Sequence, residues 1–138
     1  MRRLLESLPY HRHIFSNGPV EYVRRVLRAL DIEDLFEEVF DIRRSGFVPK
    51  PNPEPYERVM EQLAGEDRVL VLIEDAAKNL PPARSRGWRN IWLRSTASWL
   101  AGQFGATPAR DEDVEADVIL DDLMQVGPAL EDVLDGGS

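Results

Sequence analysis

The chain of 138 residues has no cysteine, which excludes disulfide bonds and thiolate chemistry and fits a cytoplasmic protein. Long apolar runs are absent as well, so the pattern holds no helix that would span a bilayer. The opening MRRLLESLPY lacks the apolar region of a signal peptide. Basic residues are missing from Asp111 onward, where ten acids occur without a Lys or Arg. The preceding 110 residues carry 17 basic and 15 acidic groups, so the formal charge of −8 belongs to the tail. No basic field of the kind that attracts nucleic acid exists, and the acidic tail reads as a solvated face. Apolar and charged fractions of 43% and 30% are those of an ordinary globule. The length suits a single domain over residues 1–138, with an acidic strand–helix unit at about 111–138.

What is present centres on RVLVLIEDAAKN, residues 68–79. Five aliphatic residues, Val69 to Ile73, run without polar alternation into Glu74 and Asp75. Such a run predicts a strand buried on both faces, the habit of parallel sheets covered by helices. Ligands of such sheets sit beyond the carboxyl ends of the strands, where the two acids stand.

Along the rest of the chain, strand and helix signals alternate. Leu4, Leu5 and Leu8 mark a short helix stopped by Pro9. HRHIFS (11–16) reads as a strand, and Pro19 opens a helix whose stripe runs through Val20, Val23, Val26, Leu27 and Leu30. Ile32, Leu35 and Phe36 dip into the core before a second strand at Val39–Ile42. SGFVPKP (45–51) is loop, followed by a helix capped by Asn52 with Pro53 at its first position. Its buried stripe is Tyr56, Val59, Met60 and Leu63, and Gly65 ends it.

After the central strand Asp75 is expected to cap a helix that Pro81-Pro82 restart, and Gly87 to end it. A strand at Trp88–Leu93 comes next, then a helix from Ser95 or Thr96 through Trp99, Leu100 and Phe104. ADVIL (116–120) is the last strand and Asp121–Leu134 the last helix. This alternation predicts an α/β layered domain with a mostly parallel sheet.

Polar groups gather after three of the strands: Ser16-Asn17, then Lys50, then Glu74-Asp75 with Asn79. A hydroxyl beside free backbone N–H groups holds phosphate, and a lysine adds a compact positive charge for the same anion. Two carboxylates suit Mg²⁺, which takes oxygen ligands and keeps several waters. Together these residues form a phosphoryl-transfer cradle in which positioning and charge neutralisation supply the catalysis. Singly, each has an ordinary alternative: Ser16 as a turn residue, Lys50 as a solvated loop charge, Glu74-Asp75 as a helix cap.

The three segments IFSNG, VPKPNPEPY and VLVLIEDAAKNL resemble, in order, the second, third and fourth motifs of the haloacid dehalogenase-like hydrolases, most of all their pyrimidine 5′-nucleotidase-like branch. The resemblance covers about residues 10–93. It implies a Rossmann-like three-layer sandwich with a mostly parallel sheet, and Mg²⁺-dependent phosphatase chemistry on a small phosphorylated substrate. Ser16 and Asn17 would bind phosphate, Lys50 would hold it and offset the acids, Glu74 and Asp75 would face the metal, and Asn79 would support them. Catalytic weight would fall on Lys50 and Asp75.

The chain departs from that pattern. The Asp-x-Asp-x-Thr motif that carries the family's nucleophile does not precede IFSNG, the cap insertion is lacking, Glu74 replaces an aspartate, and Pro81-Pro82 interrupt the following helix. The expectation is therefore a sheet without the family's central first strand. The strands ending at Ser16 and Ile73 then pair directly, or a homodimer fills the gap.

Further candidates have bland counterparts. His11 and His13 share a strand face and with a carboxylate would bind metal or act as base, or else form a strand-edge pair. Trp88, Trp92 and Trp99 would stack a nucleobase or pack in a core or interface. Asp41 is the acid nearest Lys50 in sequence, a substitute nucleophile, and Arg43-Arg44 would meet phosphate or simply carry surface charge. On these readings the chain is a truncated phosphohydrolase without the usual nucleophile, or a silent remnant that binds phosphate or protein.

Overall fold

A computed structural model describes residues 1–63, 65, 68–94 and 113–135. The helix expected between Ser95 and Phe104, with Trp99, lies outside them. The chain forms two compact units, Met1–Leu63 and Ala64–Ser138, and its strands form two sheets in which every pairing is parallel.

In the first unit α1 (Arg2–Ser7), β1 (His13–Phe15), α2 (Val20–Ala29), β2 (Glu38–Phe40) and α3 (Pro53–Leu63) follow one another. Leu8 is extended where Pro9 bars the helical region for its predecessor, so α1 stops there. β1 and β2 pair in the register His13↔Glu38, Ile14↔Val39, Phe15↔Phe40. Their crossover, α2, buries Val23 and Leu27 against Ile32 and Val39, with Leu5, Ile14, Val20, Leu35 and Phe36 around them.

Helix α2 ends in a tight reversal. The Ile32 N–H reaches Leu27 O at 2.9 Å and the Asp31 N–H reaches Arg28 O at 3.0 Å. This is the Schellman pattern, with Asp31 at φ 56° in the position that glycine favours. Leu27 and Ile32, the residues that bracket the reversal, are both buried. Of the stripe expected for α3, Tyr56 and Val59 are buried and Met60 and Leu63 half-buried, and Pro55 is buried beside them.

The second unit contains β3 (Val71–Glu74), α4 (Leu80–Ser85), β4 (Arg89–Leu93), β5 (Val118–Leu120) and α5 (Val126–Asp135). The strand order is β3-β4-β5. β4 is central, and Asn90, Ile91 and Trp92 are almost wholly buried. A 3₁₀ turn over Ala77–Asn79 precedes α4, so Pro81 and Pro82 occupy a helical first turn, where their missing N–H groups cost nothing. Gly87, at φ 82°, ends α4. Trp88 N–H donates to Ala83 O and Gly87 N–H to Arg84 O, both at 3.0 Å, the same Schellman closure with buried Ala83 and Trp88 about it.

The expectation for the organising strand is corrected on one point. β3 is buried on one face only: Leu72 and Glu74 are buried, whereas Val69 is 56% and Ile73 38% exposed. Val69, Val71 and Ile73 alternate with Leu72 and Glu74 along the strand, so they lie on its other face, which lacks full cover among the described residues.

Candidate active site

The residues that follow β1 and β2 are tied together by half-buried Ser16, exposed Asn17 and buried Lys50. At the end of β1, Ser16 N–H donates to Phe40 O at 2.9 Å, and the Ser16 hydroxyl accepts the Gly18 N–H at 2.9 Å. The serine thus shapes its own turn while its oxygen lies at the carboxyl end of the strand. Asn17 reaches across to the Lys50 loop. Its Oδ1 accepts the Lys50 N–H at 2.8 Å, and its Nδ2 donates to Lys50 O at 3.3 Å. One amide therefore holds both backbone groups of a residue 33 positions away.

Lys50 is buried, contrary to the alternative of a solvated loop charge. Its Nζ donates to Phe15 O at 2.8 Å and lies 4.5 Å from the centre of the Phe15 ring. Phe15 in turn meets the fully buried Tyr56 edge-on, with ring centres 5.2 Å apart. The carbonyl at the tip of β1 and an aromatic face thus hold the ammonium at the strand's carboxyl end. The Lys50–Pro51 peptide is cis.

Asp41, the substitute nucleophile of the sequence reading, has another occupation. It is buried, Oδ2 accepts the Val20 N–H at 2.9 Å and Oδ1 accepts the Arg44 N–H at 3.2 Å. It caps α2 from 21 residues away, satisfying a donor that Pro19 cannot cap with a side chain of its own. Both carboxylate oxygens are committed to backbone, which argues against attack on a substrate.

In the second unit, Glu74 and Asp75 leave β3 differently. The Glu74 carboxylate is buried and accepts the Ala76 N–H at 3.3 Å. Asp75 is exposed, and its carboxylate accepts no hydrogen bond from a described residue. The acid that caps the turn is therefore Glu74, not Asp75 as expected. Asp75 is held through its backbone: the indole N–H of buried Trp92 donates to its carbonyl at 3.0 Å. Asn79 is buried at the end of the 3₁₀ turn.

Among the described residues, no three His, Cys, Asp or Glu side chains are grouped to hold a metal ion. The donors present suit a hydrated Mg²⁺, which needs only one or two carboxylates beside water and phosphate. Asp75 meets that requirement more directly than Glu74, whose carboxylate serves the turn.

His11 Nδ1 lies 2.9 Å from a Glu37 oxygen and His13 Nε2 lies 3.5 Å from the same atom. The His11 hydrogen bond holds the Glu37 carboxyl below its usual range, and burial opposes that shift. This group borders a cleft of about 210 Å³ built from residues that precede β1 and β2, away from their carboxyl ends. Arg43 pairs with Glu21. Arg44 pairs with Glu38 and stacks on Phe40, its guanidinium 4.1 Å from the ring centre. Trp88 and Trp92 are core residues.

Three contributors escaped the sequence reading: Asp41 as a cap, Phe15 as the seat of the Lys50 ammonium, and Trp92 as the anchor of Asp75. Only Asp41 carried a signal, as an acid placed where a helix start lacks a capping side chain.

The family model of the haloacid dehalogenase-like hydrolases matches residues 3–87, more than half of the chain. The chain belongs to this family. Enolase-phosphatase E1 of Streptomyces avermitilis is 35% identical over 86 residues, covering 59% of this chain and 35% of that protein. A dehalogenase solved with an intermediate complex superposes with a TM-score of 0.73 at 18% identity, covering 93% of this chain and 54% of that one. A magnesium-bound hydrolase of the family from Bacillus subtilis gives 0.70 at 18%, covering 93% and 53%. The chain thus spans about half, or less, of the length of these relatives. As a haloacid dehalogenase-like protein it has the family's mixed α/β architecture with parallel, Rossmann-like sheets. Among its described residues no helix is long and apolar enough to cross a membrane.

Proposed function

We propose that this chain hydrolyses small phosphomonoesters, with Ser16, Asn17 and Lys50 of the first unit as its phosphate-binding residues, Glu74 and Asp75 of the second unit as its metal-binding residues, and Asn79 as their supporting group. The observation that carries this reading is the seating of Lys50. A buried ammonium held by the Phe15 carbonyl and ring, on a loop pinned by Asn17, is a fixed positive charge at a strand's carboxyl end. Fixed charge of that kind stabilises a transferring phosphoryl group without reorganisation. Ser16 would contribute its hydroxyl, and Lys50 would neutralise phosphate charge. Mg²⁺, when bound, supplies further neutralisation of charge on the phosphoryl oxygens. With both Asp41 oxygens engaged, water is the attacking group in this reading, and the usual aspartate nucleophile plays no part. We place the protein in the cytoplasm as a homodimer, with no nucleic-acid partner.

Hydrolysis of a generic phosphomonoester, with and without EDTA, tests the proposal. Lys50→Ala and Asp75→Asn should each lower turnover by at least tenfold, the scale of a lost electrostatic contact in the transition state. Equal rates in wild type and both variants would sink it.

A second reading, a silent phosphate- or protein-binding module, draws on the same engagement of Asp41, which argues against this acid as a nucleophile. Binding of inorganic phosphate that depends on Lys50, without turnover of any phosphomonoester, would favour it.

A further inference from the structure

We infer that Asn17 and Gly18 form a deamidation site that the folded chain restrains, and that its isoaspartate product releases the Lys50 loop from the end of β1. Every group involved lies in the first unit, and nothing in the chemistry requires phosphatase activity.

The sequence supplies the reacting pair, Asn17-Gly18. In this dipeptide the backbone nitrogen approaches the side-chain amide with least obstruction, because glycine has no Cβ. The Gly18 nitrogen gives its proton to hydroxide or water and attacks Asn17 Cγ. A C–N bond forms, the Cγ–Nδ2 bond breaks, and Nδ2 takes up a proton and leaves as ammonia. Water then opens the resulting cyclic imide. Opening at Cγ gives aspartate, and opening at the Asn17 main-chain carbonyl gives isoaspartate, in which the chain runs through Cγ. The sum is one water consumed and one ammonia released.

The fold does not demand glycine at this position. Gly18 is not in the left-handed region, and an added Cβ would meet Ser16 Oγ at 3.4 Å and Tyr22 Cδ1 at 3.7 Å, ordinary contact distances. Alanine therefore fits at 18, which provides a chain with the same clamp and an obstructed reaction.

The folded chain engages both reacting groups. The nucleophile's N–H donates to the Ser16 hydroxyl at 2.9 Å. The Asn17 amide accepts the Lys50 N–H at 2.8 Å and donates to Lys50 O at 3.3 Å. The flanking backbone is fixed as well, because Ser16 N–H donates to Phe40 O at 2.9 Å and Gly18 O accepts the Ile42 N–H at 3.2 Å. Attack makes Cγ tetrahedral, and a tetrahedral carbon does not keep the two bonds that a planar amide makes to one fixed residue. Reaction therefore follows a local opening in which Asn17 leaves Lys50 and Gly18 leaves Ser16, and the population of that opening sets the rate.

The two products differ in effect. Aspartate keeps an acceptor for the Lys50 N–H and weakens the clamp little. Isoaspartate inserts a carbon into the main chain between Ser16 and Gly18, so the turn that Ser16 closes and the reach of the side chain to Lys50 are both lost.

Incubation of the full chain in warm, mildly alkaline buffer, followed by peptide mapping and ammonia release, tests this directly. The folded chain should react at least about tenfold more slowly than the same chain in guanidinium chloride, the scale of one internal hydrogen bond. The slowing should be of the same order as the protection of the Lys50 amide from hydrogen exchange, since one opening frees both groups. Ser16→Ala should quicken the reaction in the folded state and leave the denatured rate nearly unchanged, whereas Ser16→Thr, which keeps a hydroxyl, should restore the slow rate. After ageing, the isoaspartate fraction of the parent should exchange its Lys50 amide quickly, while Gly18→Ala treated in the same way should stay unmodified and protected. A folded parent that deamidates as fast as the denatured chain overturns the inference, and this comparison requires no variant to fold. So does an isoaspartate fraction whose Lys50 amide remains as protected as before ageing.

Discussion

The Asn17 amide is the element on which the geometry of Lys50 depends, and a short substitution series tests that dependence. Its Oδ1 accepts the N–H of a buried residue at 2.8 Å, whereas its Nδ2 makes a longer bond, 3.3 Å, to the carbonyl of the same residue. Asn17 itself is exposed, so the donor half competes with water and contributes little. The acceptor half satisfies a backbone donor that is otherwise inside. Leaving such a group unpaired costs about 1–3 kcal/mol, and an ordinary exposed hydrogen bond about 0.5–1.5 kcal/mol at most. Asn17→Ala should therefore destabilise the first unit by about 1–3 kcal/mol. Asn17→Asp keeps the acceptor and loses the donor, and should cost less than about 1 kcal/mol. Urea unfolding monitored by fluorescence gives the two values, and hydrogen exchange of the Lys50 amide locates them. Exchange should quicken markedly in the alanine variant and little in the aspartate one. If the two variants lose equal stability, or if the Lys50 amide exchanges equally in both, the clamp does not position the lysine.

Asp41→Asn should lower stability by about 1–2 kcal/mol in the same urea assay, because one backbone N–H then faces an amide NH₂ rather than a carboxylate oxygen. Any phosphomonoesterase activity should survive that change, and its abolition would restore Asp41 as a nucleophile. Gly87→Ala should cost about 1–2 kcal/mol purely from the backbone, since φ is 82° and an added Cβ meets nothing within 4 Å; an unchanged melting temperature would refute that account. Hydrogen bonds from Arg2, Arg28, Arg43 and His11 hold Asp34, Glu33, Glu21 and Glu37 respectively below their usual range. A depressed folded-state pKa gives stability that is complete above the unfolded carboxylate pKa of about 4 and is lost as pH falls below it. Urea midpoints should accordingly hold from pH 7 to about pH 5 and decline below pH 4. Added salt should make the decline shallower, because these pairs are exposed, and a decline beginning near pH 6 would contradict the assignment.

Elements with a strong local cause were legible in the sequence. Pro9, Pro19, Pro53 and Gly87 punctuate helices because their backbone limits act whatever surrounds them, and the structure starts or stops helices at or within a residue or two of each. The alternation of strand and helix signals likewise led directly to a parallel α/β fold. Burial was legible only in part. An aliphatic run states that a strand can be covered on both faces, but what covers it is a property of tertiary arrangement. β3 has such a run and yet leaves Val69 and Ile73 exposed.

The candidate site divides along the same line. The residue types that suit phosphate chemistry could be picked out from order and spacing, because a lysine in a proline-flanked loop and acids at a strand's end are visible in one dimension. What those residues do is decided by partners far along the chain: Phe15 for Lys50 at a separation of 35, Asn17 for its backbone at 33, Val20 for Asp41 at 21, and Trp92 for Asp75 at 17. Hence the sequence offered Asp41 as a substitute nucleophile and Asp75 as a metal-facing acid without showing the partners on which either role depends. The structure separates them: Asp41 spends both oxygens on backbone N–H groups, and Asp75 keeps its carboxylate exposed while its backbone is held. A carboxylate that must bind a ligand needs a fixed main chain and an uncommitted side chain. By that criterion Asp75 is the acid whose substitution should change chemistry, and Asp41 the one whose substitution should change stability.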